Sequence, residues 1–399
     1  MTCNRCSIAF SVLGWNRIPH ELYSRMTRAR NQINHRLFVL KTSFYPAVLG
    51  LLLSLLGQAT AVLALDKTPV LNILARVHFN TNVSNFEKSR AFYEKLGFDT
   101  VSSFPNTNTL AMARAIGITT PTNYDGSQGE AAGGYLLHGE LIGLGFTGGI
   151  IDLIEFSIPR NNEPPYKNLN HLGMTHAQMM TTDIDADYGY LKSIGVEFIS
   201  APVTRGNGNR FAIFKDPDGT FYELEEIQAQ NPKRANSHID RLGAITINVS
   251  DYQRSASWYK MLGYALTEKL DSTESLEVAK AMGFDQPFEI IGGLFTHTQD
   301  GSQLKIIEWL SPRDNTPPYG IPINHIGIHR IAFSTSDIEA DVEMLKQNGV
   351  TMISPITPCC SGDDSWGGIV AFYDPDGTVI ELVEQPVMTF FSWLTKWFK

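Results

Sequence analysis

Residues 83–98 read VSNFEKSRAFYEKLGF, and residues 249–264 read VSDYQRSASWYKMLGY, with Val-Ser, Tyr and Leu-Gly in register at an offset of 166. Three further pairs follow in the same order. IPRNNEPPY (158–166) matches SPRDNTPPY (311–319), TDIDADYGYLKSIGV (182–196) matches SDIEADVEMLKQNGV (336–350), and FKDPDGTFYELEE (214–226) matches FYDPDGTVIELVE (372–384). Four matched segments in one order make the body of the chain a tandem duplication. The copies span 72–228 and 239–385, and a polar linker, 229–238, lies within QAQNPKRANSH (228–238).

Each copy reads as a strand, a helix and further strands, twice over. RVHFNTNV alternates faces, NFEKSRAFYEKLGF has helical spacing and ends at a Gly, and further strands reach IIDLIEF. THAQMMT, DIDADYGYLKSIGV and FAIFKDPDGTFYELEE repeat this order. Asp-Pro-Asp-Gly is a turn, because Pro sets φ and Gly accepts the left-handed position, so its flanks form a hairpin. The expected class is α+β, with tandem domains each made of two β-α-β-β-β units closing a cup-shaped mixed sheet, helices outside.

With Val-Ser-x-x-x-x-Ser-x-x-(Phe/Trp)-Tyr-x-x-Leu-Gly and Asp-Pro-Asp-Gly-x-x-x-Glu-Leu in place, the chain resembles the vicinal oxygen chelate superfamily over about 72–385. That superfamily includes glyoxalase I, bleomycin- and fosfomycin-resistance proteins, methylmalonyl-CoA epimerase and extradiol dioxygenases. The resemblance implies a divalent metal held by two histidines and a glutamate, with a fourth ligand in the glyoxalase-like members. The matching places here are His78, His176 and Glu223, with Asp152 fourth. Alternation along the strands turns Arg76, His78 and Asn80 to one face, and His176 and Gln178 likewise into the cup, so Asn80 and Gln178 are candidate substrate contacts. Two imidazoles and one or two carboxylates suit Zn, Ni, Mn or Fe(II) without choosing among them.

In the second copy the same four places read Ala244, Lys305, Arg330 and Glu381, and two cations with one carboxylate do not hold a metal. The expectation is therefore one metal, in copy one, with consecutive units pairing inside 72–228. Exchange of unit one with unit four would instead set His78 and Asp152 beside Arg330 and Glu381.

Within the superfamily, Asp152 favours a four-ligand lyase or isomerase acting on a small molecule with vicinal oxygens. A metal-stabilised enolate would form, and Glu223 or Asp152 would move the proton. The alternatives are an Fe(II) ring-cleavage dioxygenase and a non-catalytic, resistance-type small-molecule binder. Ring cleavage is disfavoured because GNGNRFAIFKDPDG has no His and places Ile213 where a Tyr is expected.

Other residues have quieter readings. His171 and His325, in NHLG and NHIG, occur in both copies and read as structural, as do Arg160 and Arg313 ahead of Pro-Pro-Tyr. His138, His238, His297 and His329 have no partner pattern, and Cys359-Cys360 lies in a loop.

The ends differ from the body. Residues 1–65 hold seven Lys/Arg and one acidic residue, leaving 25 basic and 40 acidic residues in the remainder. A body at −15 repels phosphate backbones, so nucleic acid is not an expected partner. The uncharged run PAVLGLLLSLLGQATAVLAL (46–65) reads as an export signal, giving a periplasmic or extracellular protein, with a retained membrane anchor as the alternative. Met26 is an alternative start that would remove Cys3 and Cys6. At the other end, residues 386–399 put Phe390, Phe391, Leu394, Trp397 and Phe398 on one helical face, which either docks on the body or contacts a membrane.

Overall fold

Every unit opens with an alternating strand that feeds a capped helix. The caps are Asn85, Asp183, Asp251 and Asp337, whose side chains accept from the backbone N–H three residues on. Each of these helices is ten residues long and is followed within two residues by a left-handed glycine, Gly97, Gly195, Gly263 or Gly349. The same start and stop signals therefore produce the same element four times.

The computed structural model describes residues 70–103, 110–118, 136–145, 148–227, 238–358 and 368–384. The apolar leader, Cys359-Cys360, the C-terminal aromatic segment and all of the linker but His238 lie outside the described residues. Among the described residues no helix is long and apolar enough to cross a membrane.

Unit one holds β1 (Ile73–Asn82), β2 (Asp99–Ser103), β3 (Leu136–Gly143) and β4 (Ile150–Ile158). Unit two holds β5 (Gly173–Thr181), β6 (Glu197–Phe198), β7 (Val203–Thr204), β8 (Arg210–Lys215) and β9 (Phe221–Glu226). Unit three holds β10 (Arg241–Asn248), β11 (Tyr264–Leu270), β12 (Glu289–His297) and β13 (Gln303–Ser311). Unit four holds β14 (Arg330–Thr335), β15 (Thr357–Pro358), β16 (Gly368–Tyr373) and β17 (Val379–Glu384). The class is α+β with mixed sheets, and the Asp-Pro-Asp-Gly flanks form hairpins, β8 with β9 and β16 with β17.

The pairing of units corrects the sequence expectation. One sheet runs β15-β16-β17-β14-β1-β4-β3-β2 and the other β11-β12-β13-β10-β5-β9-β8-β6. Unit one thus joins unit four through antiparallel β1 and β14, and unit two joins unit three through antiparallel β5 and β10. We call these the outer-pair and inner-pair sheets. Consecutive units do touch, but by their helix sides. Ser84 donates to Asp218, and the Tyr93 hydroxyl lies 3.1 Å from Asp216 and 2.8 Å from Tyr222. In the second copy Ser250 donates to Asp376, and Tyr259 to Asp374 at 2.9 Å. The repeated Ser and Tyr motif therefore records helix-side packing, where Phe79, Tyr93, Phe214, Tyr222, Tyr259 and Phe333 share one apolar core.

Tyr93 has one hydroxyl proton for two neighbours. If it goes to Tyr222, the Asp216 contact needs a proton from Asp216 itself. Burial pushes the Asp216 carboxyl up to about 7, with Asp218 adding to the rise, against N–H donors from Thr220 and Asp218. A carboxyl whose folded pKa exceeds its unfolded value stabilises fully below the unfolded pKa, near 4, and loses that contribution as pH rises towards about 7. Asp216→Asn should therefore flatten the fall in melting temperature between about pH 4 and pH 7. An unchanged pH profile would show that Asp216 is ionised throughout.

Candidate functional site

The exchange of units distributes the expected ligands. His78 and Asp152 belong to the outer-pair sheet, His176 and Glu223 to the inner-pair sheet, so the four do not converge. The partners that do meet are the cross-copy ones. In the outer pair Arg330 donates to Glu381 at 3.0 Å and makes a closer contact with Asp152. His78 Nδ1 lies 4.0 Å from Asp152 Oδ2. In the inner pair, Lys305 Nζ is 2.9 Å and His176 Nε2 3.6 Å from Glu223.

The outer cluster is buried. Burial, helped by Arg330, lowers the His78 imidazole to about 3, so it is neutral. Burial raises Asp152 to about 7 against the pull of Arg330, and raises Glu381 in the same way. Asn80 is also buried and donates to Asn82 at 2.7 Å, so its amide serves the fold. Arg76, expected beside His78, instead reaches the carbonyls of Gly243 and Gln303 in unit three, next to a register shift in β1.

The inner cluster opens onto a cavity of about 420 Å³. His176, Glu223, Lys305 and Arg205 form its polar floor, and Phe288 and Trp309 stand in its apolar wall. Glu223 is saturated: Arg205 Nη2 donates to Oε2 at 2.9 Å, while Lys305 and Gln178 donate to Oε1 at 2.9 and 2.8 Å. Burial alone would raise this carboxyl, but Arg205 and Lys305 overrule it and hold it well below the usual range. Glu225 moves the other way, up to about 7, through burial and the neighbouring Glu223. Gln178 donates to Glu225 at 2.6 Å and accepts from the Ala244 N–H at 3.0 Å, so it braces the carboxylates. The ring nitrogens of His176 lie 3.0 Å from Thr175 Oγ1 and 3.1 Å from Thr246 Oγ1. Burial lowers its pKa.

A divalent ion does not fit either donor set. Glu223 already receives three charged or amide donors, and in the outer pair a guanidinium bridges the two carboxylates. Among the described residues no three of His, Cys, Asp and Glu are grouped to hold a metal. A guanidinium about 4 Å from a divalent ion costs about 8 kcal/mol at an effective dielectric near 20.

Sequence reasoning missed Arg205 and Glu225. Period-two alternation from Glu223 would have placed Glu225 on the same face, whereas Arg205 lies in a loop with no counterpart in the repeat. The structural readings fare better. His171, Tyr166, Tyr319 and His325 form a run of stacked rings, with centroid spacings of 4.1, 4.4 and 4.2 Å. Arg160 and Arg313 bond the carbonyls of Ser84 and Ser250, at 2.5 and 2.9 Å. His238 and His297 are held by Asp187 and Asp300, at 2.9 and 2.8 Å, His138 stacks on Phe86, and His329 lies 2.8 Å from Asn82.

The sequence profile described as Glyoxalase/Bleomycin resistance protein/Dioxygenase superfamily matches residues 75–224 and 241–382. Among solved structures, glyoxalase I from Zea mays is similar, with a TM-score of 0.52 and 17% identity, covering 80% of this chain and 94% of that one. A putative dioxygenase from Bacillus subtilis subsp. subtilis str. 168 is similar at a TM-score of 0.50 and 14% identity, covering 79% of this chain and 87% of that one. At such identities the likeness concerns the fold. No curated protein matches in sequence.

Proposed function

The chain belongs to the glyoxalase/bleomycin resistance protein/dioxygenase superfamily, and from that premise we propose that it binds a small molecule in the inner-pair cavity, with protein cations where other members typically place a divalent metal. One observation carries this reading. Glu223, at the superfamily's ligand position, has both oxygens committed to Arg205, Lys305 and Gln178, and the cavity opens directly on it. A volume of about 420 Å³ with an apolar wall and a few converging polar groups matches small-ligand sites in general.

Binding is favoured over proton transfer because each nitrogen of His176 already has a hydroxyl partner. The metal-stabilised enolate and ring-cleavage readings both need ligands that stand in different sheets.

A neutral solvatochromic dye, Nile red, tests the reading on the full chain. It should bind with a blue shift that survives exhaustive chelation. Ile290→Trp, on the cavity wall, should weaken binding at least about tenfold with melting temperature little changed, because a lost apolar seat of that size exceeds about 1.4 kcal/mol. A requirement for added divalent metal, or full binding in Ile290→Trp, would overturn it.

A further inference from the structure

We propose that the inner-pair cavity selects a small ring-bearing monocarboxylate, its carboxylate on Lys305 and its ring against Trp309 and Phe288. This rests on the binding function above and adds the chemical class of the ligand.

Lys305 carries the argument. Its ammonium has three protons, and its carboxylate neighbours are Glu223 Oε1 at 2.9 Å and Glu225 Oε2 at 3.6 Å, the latter beyond hydrogen-bond reach. The side chain is only 11% exposed, yet it lines the cavity. A nearly buried ammonium that lines a cavity and is bonded to one carboxylate has protons to give to a ligand oxygen. Arg205, on the same floor, is committed to Glu223 at 2.9 Å and Glu225 at 3.3 Å, its guanidinium stacked 3.5 Å above the centroid of Phe211, which leaves Lys305 as the cation for a ligand.

The wall fixes the body of the ligand. Trp309, 4% exposed, is held by its Nε1–H donating to Asn248 at 3.0 Å, so the indole is a fixed plate. Phe288 lies 5.0 Å from it, centroid to centroid, and Val278 and Met282 continue the apolar surface. Such a pocket takes one ring or a compact hydrocarbon body.

The mouth fixes the total charge. Glu268, Asp271 and Glu274 line it against the single cation Lys269, and all four are exposed. This excess of negative charge repels polyanions, so phosphate esters and nucleotide-bearing thioesters are disfavoured, whereas a single carboxylate meets the least repulsion on its way to Lys305.

The test is displacement of Nile red from the full chain by four ligands sharing one phenylbutyl body: 4-phenylbutyrate, its amide, 4-phenylbutylamine and 4-phenylbutyl phosphate. The carboxylate should bind at least about tenfold more tightly than each of the others, the scale of one charge-assisted hydrogen bond. Lys305→Met should abolish the preference, and Lys305→Arg, which keeps a donor for Glu223, should retain it. If the dye binds but acid, amide and amine compete equally, the carboxylate assignment falls and the cavity reading stands. If the dye itself does not bind, both fall.

Discussion

Arg330→His should bind a single divalent ion in the outer-pair sheet, where the unaltered chain is expected to hold none in stoichiometric amount. Position 330 aligns with 176 in the repeat, so the substitution would supply the missing imidazole beside His78, Asp152 and Glu381. Two of the remaining donors already stand near each other: His78 Nδ1 lies 4.0 Å from Asp152, and both His78 Nδ1 and Asp152 Oδ1 are buried with no hydrogen-bond partner among the described residues. What opposes an ion is the guanidinium, by about 8 kcal/mol at about 4 Å and a dielectric near 20. Removing that charge while adding a ligand changes affinity by several powers of ten. Visible absorption of bound Co(II), with one equivalent at saturation, reads the outcome. Arg330→Gln, which removes the charge and adds no ligand, should bind more weakly than Arg330→His. Stoichiometric metal in the unaltered chain, or none in Arg330→His despite a folded protein, would refute the assignment.

Residues 72–228 expressed alone should not fold as a monomer with one metal. Their β1 and β5 edges are completed in the full chain by β14 and β10, both outside the segment. Two such edges, backed by buried Phe79, Met174 and Met179, cannot stay open in water. Because β5 is the repeat equivalent of β14, a second copy of the segment can supply the missing strand. The expected soluble species is a symmetric dimer, with His78 and Asp152 of one copy facing His176 and Glu223 of its partner twice over. A dimeric mass by sedimentation, with a melting temperature that rises with protein concentration, is the expected result. A stable monomer binding one metal would mean that consecutive units can close a cup.

The two experiments bear on one physical point. The superfamily's ligand places are legible residue by residue, because period-two alternation and the repeat offset locate them without reference to neighbours. Their grouping is not legible. Asp152 was read as a metal ligand and is a partner of Arg330; Lys305 was read as a disqualifying cation and is the floor of the cavity. Both residues acquire their roles from the sheet they join.

The sequence alone determined the four capped helices, the Asp-Pro-Asp-Gly hairpins and the duplication, because caps, turns and alternation act over a few residues. The same repeated motif takes part in the helix-side contact between consecutive units, a tertiary contact in which Ser84 and Tyr93 meet Asp218 and Asp216 as Ser250 and Tyr259 meet Asp376 and Asp374. Only the tertiary structure decided which strand edges join. β1 and β10 are repeats of one another, as are β5 and β14, and a ladder of backbone N–H and C=O groups accepts either partner. Pairing across the copies then placed one imidazole and one protein cation at the ligand places of each sheet, which is why two metal-like half-sites became a charged floor under one cavity and a buried ion cluster in the other.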